Sequence, residues 1–285
     1  MLYTGAKKEA IAIHEKSVSK YNSTHAAVQQ KCEQLYVTRQ QAVIRIEEIE
    51  TLINSIANTP KEFERTLASI QAERSKFRAT EDYATDAYQT ALKSGAAVVA
   101  GVATAGAVAS MAPTAAMWVA TTFGTASTGT AISTLSGAVA QKAALAWLGG
   151  GALAAGGSGI AGGQALLAMA GPIGWGISAV TTAGAVASMG RKNKKISEDA
   201  IAEAKRITIA GAELNESGEI VSILQKETDL LLENMKMEFA GVAHLDGANY
   251  STISNDEQLQ LGTLVNHTLS LAEMLNKTVY DKLEV

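Results

Sequence analysis

Side chains that carry out chemistry are few and scattered in this sequence. The four histidines, His14, His25, His244 and His267, have no metal-ligand spacing and no constellation of Asp, Glu or Cys beside them. We therefore predict surface or interface positions for them. His25 lies at an inward position of a helical repeat, which leaves a role in pH sensing as its alternative.

Two further features that resemble reactive sites also have structural explanations. Cys32 is the only cysteine, so there is no intramolecular disulfide, and we expect it to be a small buried hydrophobe. Residues 157–162 read Gly-Ser-Gly-Ile-Ala-Gly and match the form of a dinucleotide fingerprint. No β-rich strand precedes them, and no acidic residue follows before Glu198. The sequence therefore predicts no enzyme activity, no metal and no cofactor.

The chain is organised around residues 94–190, which contain a single charged side chain, Lys142, and 19 of the 25 glycines. A soluble domain needs charged residues wherever its helices and loops face water. The segment therefore predicts a membrane-entering region, with a fully buried core as the alternative. Residues 95–123 and 164–189 are long enough to cross a bilayer. Between them lies a third span, a re-entrant hairpin or the lining of a polar lumen.

Small residues recur every four positions in this segment, which predicts helices whose backbones approach closely. The residues expected to insert or to mediate assembly are Gly101, Ala105, Gly151, Ala155, Gly159 and Gly163, with the tryptophans Trp118, Trp147 and Trp175. Transfer of the charged Lys142 side chain into the bilayer costs free energy, so Lys142 is predicted to face a lumen or the membrane interface. Four cations follow the segment and predict contact with lipid headgroups, namely Arg191, Lys192, Lys194 and Lys195.

A seven-residue repeat runs through the N-terminal arm and predicts a coiled-coil-like helix over residues 7–57. Its inward positions are Tyr21, His25, Val28, Cys32, Leu35, Arg39, Ala42, Ile46, Ile49, Ile53 and Ile56. Thr59, Pro60 and Glu62 predict the start of a second helix, with Pro60 at its first position. Arg74 and Glu81 interrupt the apolar stripe of that helix. The break between the helices is either a bend in one rod or an antiparallel turn.

The C-terminal arm shows a similar stripe, which is expected to pack against the N-terminal arm. Its predicted inward residues are Ile196, Ala200, Ala204, Ile207, Leu214, Val221, Leu224, Leu231 and Met235. Residues 241–255 predict a loop, and Ser254 with Glu257 forms a capping box that starts a last helix. That helix carries Leu261, Val265, Ala272, Leu275 and Val279 on one stripe.

These patterns predict an all-α, elongated bundle of long helices, with a coiled-coil-like stalk and a Gly/Ala-rich, membrane-inserting head. The expected domains are a helical arm over residues 1–93, the apolar head over residues 94–190 and a second arm over residues 191–285. The net charge of −4 gives no indication of nucleic acid as a partner. No apolar stretch follows the first lysines, so no cleavable secretory signal is expected.

Three glycine-rich runs, residues 122–133, 146–157 and 170–175, resemble the glycine-zipper membrane segment of a group of bacterial coiled-coil proteins. The overall layout is similar to that of α-helical pore-forming toxins. This likeness implies an oligomeric pore-forming or membrane-perturbing protein of toxin or anti-phage effector type. Its partners would be a lipid membrane and further copies of itself, or a second helical subunit. It would occupy the bacterial cytoplasm and inner membrane, or reach a target membrane without a signal peptide. The alternatives are a partner-recruiting membrane scaffold without a pore and a phage-type ejection protein.

Overall fold

The computed structural model describes residues 4–93, 113–126, 128–148 and 189–283, which are predominantly helical. The helices are α1 (Thr4–Ser55), α2 (Lys61–Lys93), α3 (Pro113–Phe123), α4 (Gly137–Leu148), α5 (Met189–Val242), α6 (Asn255–Met274) and α7 (Tyr280–Leu283), with 3-10 turns at Ile132–Thr134 and Ala243–Leu245. Within the described ranges the only β-type pairings are isolated bridges. The all-α prediction is confirmed for these residues.

The chain divides into two compact units that share its long helices. The first unit contains Met1–Gln30 and Thr85–Gly218, and the second contains Lys31–Ala84 and Glu219–Val285. The seven-residue repeat of the N-terminal arm supplies buried side chains to both units, since all eleven predicted inward residues are buried. The repeat therefore identifies the buried face of α1 correctly.

In the second unit, α2 returns antiparallel to α1, which resolves the two alternatives for the break between them. Glu47 of α1 lies 2.5 Å from Arg74 of α2. Tyr36, earlier in α1, donates a hydrogen bond of 2.8 Å to Glu81, later in α2. Asn58 has a positive φ of 59° at the reversal. Helix α2 begins at Lys61, one residue after the predicted first position.

Helices α1 and α5 run parallel in the second unit. Lys31 pairs with Glu219 at 3.0 Å, and Thr38 donates a hydrogen bond of 3.0 Å to Asp229. Beyond the ends of both helices, the Ala57 N–H donates to the Ala248 carbonyl at 2.9 Å. The α1–α2 and α5–α6 turns of this unit therefore lie side by side.

The polar residues that interrupt the apolar stripes of the second unit make specific polar contacts. Arg74 reaches both Glu47 at 2.5 Å and the buried Glu50 at 2.9 Å. Arg39, at an inward position of α1, donates a hydrogen bond of 2.6 Å to the backbone carbonyl of Lys277. Burial lowers the pKa of the Arg39 guanidinium to about 9. These contacts explain why charged residues are compatible with an otherwise apolar interface.

Four residues of α5 that were predicted inward are not fully buried, and two of them, Ala200 and Leu214, are half-buried. Ile196 was expected inward but is exposed. Its neighbour Ser197 is buried and donates to the Ala6 carbonyl at 3.3 Å. Further along, Leu232 is buried, whereas the predicted Leu231 is only half-buried. An α-helix has 3.6 residues per turn, so a face drawn at a seven-residue repeat drifts over 54 residues.

The start of α6 is formed by the predicted capping box. The Ser254 hydroxyl accepts a hydrogen bond from the Glu257 N–H, and the Glu257 carboxylate accepts one from the Ser254 N–H at 2.8 Å. Hydrogen bonds from Ser254 and His244 lower the pKa of Glu257 to about 2. All five apolar residues predicted for this stripe are buried, but only Leu261, Val265 and Ala272 lie in α6, because this helix ends at Met274.

Candidate functional site

The predicted membrane-active residues fall partly inside the described structure. Seven of them lie outside the described residues, namely Gly101, Ala105, Gly151, Ala155, Gly159, Gly163 and Trp175. Trp118 lies in α3, and Trp147 and Lys142 lie in α4. The backbones of Arg191 and Lys192 belong to α5, whereas Lys194 and Lys195 of the same helix are exposed. The described part of the candidate site is therefore the α3–α4 pair.

Helix α3 is enclosed on all sides, since every residue from Ala115 to Phe123 is buried. The Trp118 side chain is 1% exposed, and its ring meets that of Phe123 edge-on at 5.6 Å. The Thr121 hydroxyl lies 2.9 Å from the Met117 carbonyl, which accepts its proton within the helix. A helix with apolar side chains on all sides can be buried completely. The neighbouring Thr122 hydroxyl is also buried, and it has no hydrogen-bond partner among the described residues.

Gly124 is located where α3, the 3-10 turn and α4 approach one another. A Cβ atom at this position would lie 2.3 Å from the Ala120 carbonyl oxygen, 2.9 Å from Ile132 Cδ1 and 3.1 Å from Trp147 Cγ. The Gly124 carbonyl accepts a hydrogen bond of 2.9 Å from the Ile132 N–H. Only glycine fits this junction without a displacement of its neighbours, so Gly124 fixes how α3 and α4 pack.

Helix α4 has one buried face and one exposed face. Ala140, Ala144 and Trp147 are buried, whereas Val139 and Lys142 are exposed. The single charge of residues 94–190 thus lies on the side of α4 away from its packed face. This arrangement leaves the Lys142 ammonium solvated in the described conformation.

The C-terminal end of α4 meets α1 within the first unit, through two polar side chains of α1. His25 makes a hydrogen bond with the Trp147 backbone, and its ring centroid lies 4.9 Å from that of Trp147. The Gln29 amide donates a hydrogen bond of 3.5 Å to the Leu148 carbonyl. The last carbonyls of a helix have no partner within the helix. His25 and Gln29 therefore satisfy groups that would otherwise be left unpaired in a buried place.

The imidazole of His25 is held in an apolar environment. Its side chain is 5% exposed, and Tyr21 stacks on its other side with a centroid distance of 6.1 Å. Tyr21 itself packs against Ile207 and Ala210 of α5. Burial lowers the pKa of His25 to about 4, although the hydrogen bond to the Trp147 backbone opposes this shift. The His25 imidazole is therefore neutral at pH 7 in this conformation.

The other potentially reactive residues of the described structure have conventional environments. Cys32 is fully buried, and burial raises the pKa of its thiol to about 12. His244 contacts Glu257 at 3.1 Å and His267 contacts Glu238 at 2.7 Å, and both histidines are exposed. Among the residues that the structure describes, no group of His, Cys, Asp and Glu is arranged to hold a metal ion.

The sequence predicted neither the bounds of α3 and α4 nor their contacts, since residues 95–123 were expected to form one span and residues 124–163 were left open. The His25–Trp147 and Gln29–Leu148 contacts join positions more than 100 residues apart, and no local pattern predicts them. A signal was nevertheless present, because His25 is a polar residue at an inward position of an apolar stripe. Such a residue must find a hydrogen-bond partner when it is buried.

Comparison of the chain with known protein families, characterised proteins and solved structures finds no match. Within the described ranges, no helix combines the length and the apolar character needed to cross a bilayer.

Proposed function

We propose that this protein inserts into membranes and forms oligomeric helical pores or otherwise perturbs the bilayer, as bacterial toxins and anti-phage effectors do. The observation that carries the proposal is the single charge in residues 94–190. A stretch of this length with one charged side chain is typical of segments that enter lipid. The proposal involves no chemical reaction and no cofactor.

The packing of α3 and α4 supports the proposal that their apolar side chains are kept away from water until the segment enters the membrane. Trp118 and Trp147 are almost completely buried, and His25 and Gln29 make the polar contacts described above between α1 and α4. Alanine and glycine are only weakly apolar, so the free energies of the docked and inserted states can be close. A small perturbation then suffices to move the segment between them.

Assembly from several copies is part of the proposal, because one chain offers too few spans to enclose a water-filled pore. The small-residue ridge of Gly151, Ala155, Gly159 and Gly163 suits close contact between helices in lipid. In the second unit, α5 also carries the exposed side chains Ile223, Leu230 and Met237 at intervals of seven residues. We infer that the small-residue ridge joins copies of the chain within the membrane, and that the exposed apolar side chains of α5 join them outside it.

Lipid contact outside the hydrocarbon region is assigned to the basic run at the start of α5. Lys194 and Lys195 are exposed, and the Lys194 ammonium lies 3.7 Å from the Glu198 carboxylate. Exposed cations next to an apolar segment are attracted to anionic headgroups. We propose the inner membrane of a bacterium as the site of action, or the membrane of a target cell.

The test is dye release from liposomes of anionic and of zwitterionic lipid, beside flotation of the protein with the vesicles and crosslinking. Gly159→Leu makes the ridge more apolar but prevents close approach, so it should still float while oligomers and leakage are lost. Gly157→Leu adds the same side chain off the ridge and should retain both. Flotation of the wild type without leakage would favour a scaffold instead of a pore. Absence of flotation at every pH would reject the proposal.

A further inference from the structure

The contact between α4 and α1 in the first unit combines backbone carbonyls that need hydrogen-bond donors with an apolar environment that disfavours a charged donor. The Trp147 and Leu148 carbonyls need donors, which His25 and Gln29 supply. The rings of Tyr21 and Trp147 lie beside the imidazole, which is 5% exposed. The Nε2 atom of His25 is buried and has no hydrogen-bond partner among the described residues. A second proton on this ring would therefore place an uncompensated charge in an apolar site.

We propose that His25 and Gln29 form a latch that holds the C-terminal end of α4 on α1 at neutral pH, and that protonation of His25 opens it. Release of α4 exposes Trp147 together with the buried alanines of its packed face. The inference rests on the proposed function only in treating α4 as part of the membrane-active segment. The opening of the latch is itself a property of the protein without lipid.

The charged and titratable groups around His25 do not provide a counter-ion. On α1 the ring beside it is Tyr21, whose pKa is itself raised by burial. The ionisable residue of α4 is Lys142, which is exposed. Charged residues also lie on two other helices of this unit. On α5, those nearest in sequence to the residues that contact Tyr21 are Glu203, Lys205, Arg206 and Glu213. The described part of α2 within this unit contributes one acidic residue, Asp86. Burial and one backbone hydrogen bond, with no contribution from these charges, set the pKa of His25.

The direction of the pH effect follows from linkage. Docking lowers the pKa of His25 from 6.5 to about 4, so the released state binds the proton more tightly. The latch is at full strength well above pH 6.5, weakens as the pH falls through that value, and reaches its weakest level below pH 4. Between pH 7 and pH 5 the equilibrium constant for release should rise about 20-fold. An anionic membrane surface concentrates protons and lowers the local pH by about half a unit, which assists opening.

The experiment measures hydrogen exchange of residues 137–148 by mass spectrometry in the intact protein, from pH 7.5 to 4.5, with exchange times scaled to the intrinsic rate. In the wild type the protection of α4 should fall about 20-fold from pH 7 to pH 5. His25→Gln keeps an amide donor but does not titrate, and its protection should change less than threefold over the same range. His14→Gln, on the same helix, should retain the wild-type pH dependence.

Gln29→Leu keeps the titrating group and removes one donor. It should lower the protection of α4 by a similar factor at both pH values, which keeps the proposal testable if His25→Gln does not fold by circular dichroism. A wild-type profile that is flat between pH 7 and pH 5 would overturn the latch. So would an unchanged pH dependence in folded His25→Gln.

Dye release measured on the same samples separates the latch from the proposed function. Acid-dependent release of α4 without leakage from anionic liposomes would support the latch and count against pore formation. Leakage that is equal at pH 7 and pH 5, with α4 protected at both, would count against the latch and leave pore formation standing.

Discussion

Substitution of Gly124 by alanine should selectively destabilise the α3–α4 pair. The added methyl group would lie 2.3 Å from a backbone oxygen of α3 and within about 3 Å of Ile132 and Trp147. This oxygen belongs to the last turn of α3 and cannot rotate away, so the backbone at the end of α3 must shift, which also disturbs the contacts with Ile132 and Trp147. Overpacking of this kind costs about 1–3 kcal/mol, and we expect the upper end because the nearest atom belongs to the backbone.

All three tryptophans lie within residues 94–190, so their fluorescence reports on this segment, whereas far-UV circular dichroism reports mainly on α1, α2 and α5. A loss of about 3 kcal/mol with a urea m-value of about 2 kcal/mol/M should lower the fluorescence midpoint by about 1.5 M. The circular dichroism midpoint should move much less, because most of the helical residues lie elsewhere.

Gly262→Ala provides the matched control. This glycine lies inside α6 and has no atom within 4 Å of an added Cβ, so alanine should stabilise the helix by about 0.5–1 kcal/mol. It should raise the circular dichroism midpoint and leave the fluorescence midpoint unchanged. A Gly124→Ala protein whose fluorescence midpoint equals that of the wild type would refute the close approach described for this junction.

Three further predictions concern single side chains. Arg74→Met removes the cation that lies 2.9 Å from buried Glu50 and should lower the free energy of unfolding at pH 7 by about 3 kcal/mol in urea titrations; the double variant with Glu50→Gln should recover more than half of that loss. Cys32, whose pKa is raised to about 12 by burial, should react with a thiol reagent at pH 8 at least about 100-fold more slowly in native protein than in urea, and equal rates would contradict its burial. Lys142→Leu should leave vesicle binding intact and change single-channel conductance or ion selectivity, whereas unchanged currents would place this lysine at the membrane interface.

The helices α1, α2, α5 and α6 could be predicted from the sequence because their patterns are local. The seven-residue repeat predicted eleven inward residues, ten in α1 and Ile56 just after its end, and all of them are buried. The box of Ser254 and Glu257 marked the start of α6 for the same reason, since both partners lie within one turn. Over the length of α5 the same method was less accurate, as Ile196 and Leu231 show, because small errors in period accumulate.

The partner of each buried face could not be predicted, because a helical stripe indicates that it is covered but not by what. Nothing in the sequence around Gly124 indicates that Trp147 lies against it, and nothing around His25 indicates α4. The polar residues at inward positions of α1 indicated long-range contacts, which its apolar residues did not. Arg39 and His25 interrupt the repeat of α1, and each contacts the backbone of a distant segment, Lys277 in the second unit and Trp147 in the first.

The parallel pairing of α1 with α5 in the second unit has a consequence for synthesis of the chain. Thr38 and its partner Asp229 are separated by 191 residues. At about 5–20 residues per second, a ribosome needs roughly 10–40 s to make the second helix after the first. Throughout that interval the apolar stripe of α1 lacks its final neighbour, while the most apolar part of the chain is emerging. The nascent chain should therefore depend on chaperones, and slower elongation between the two helices should increase aggregation.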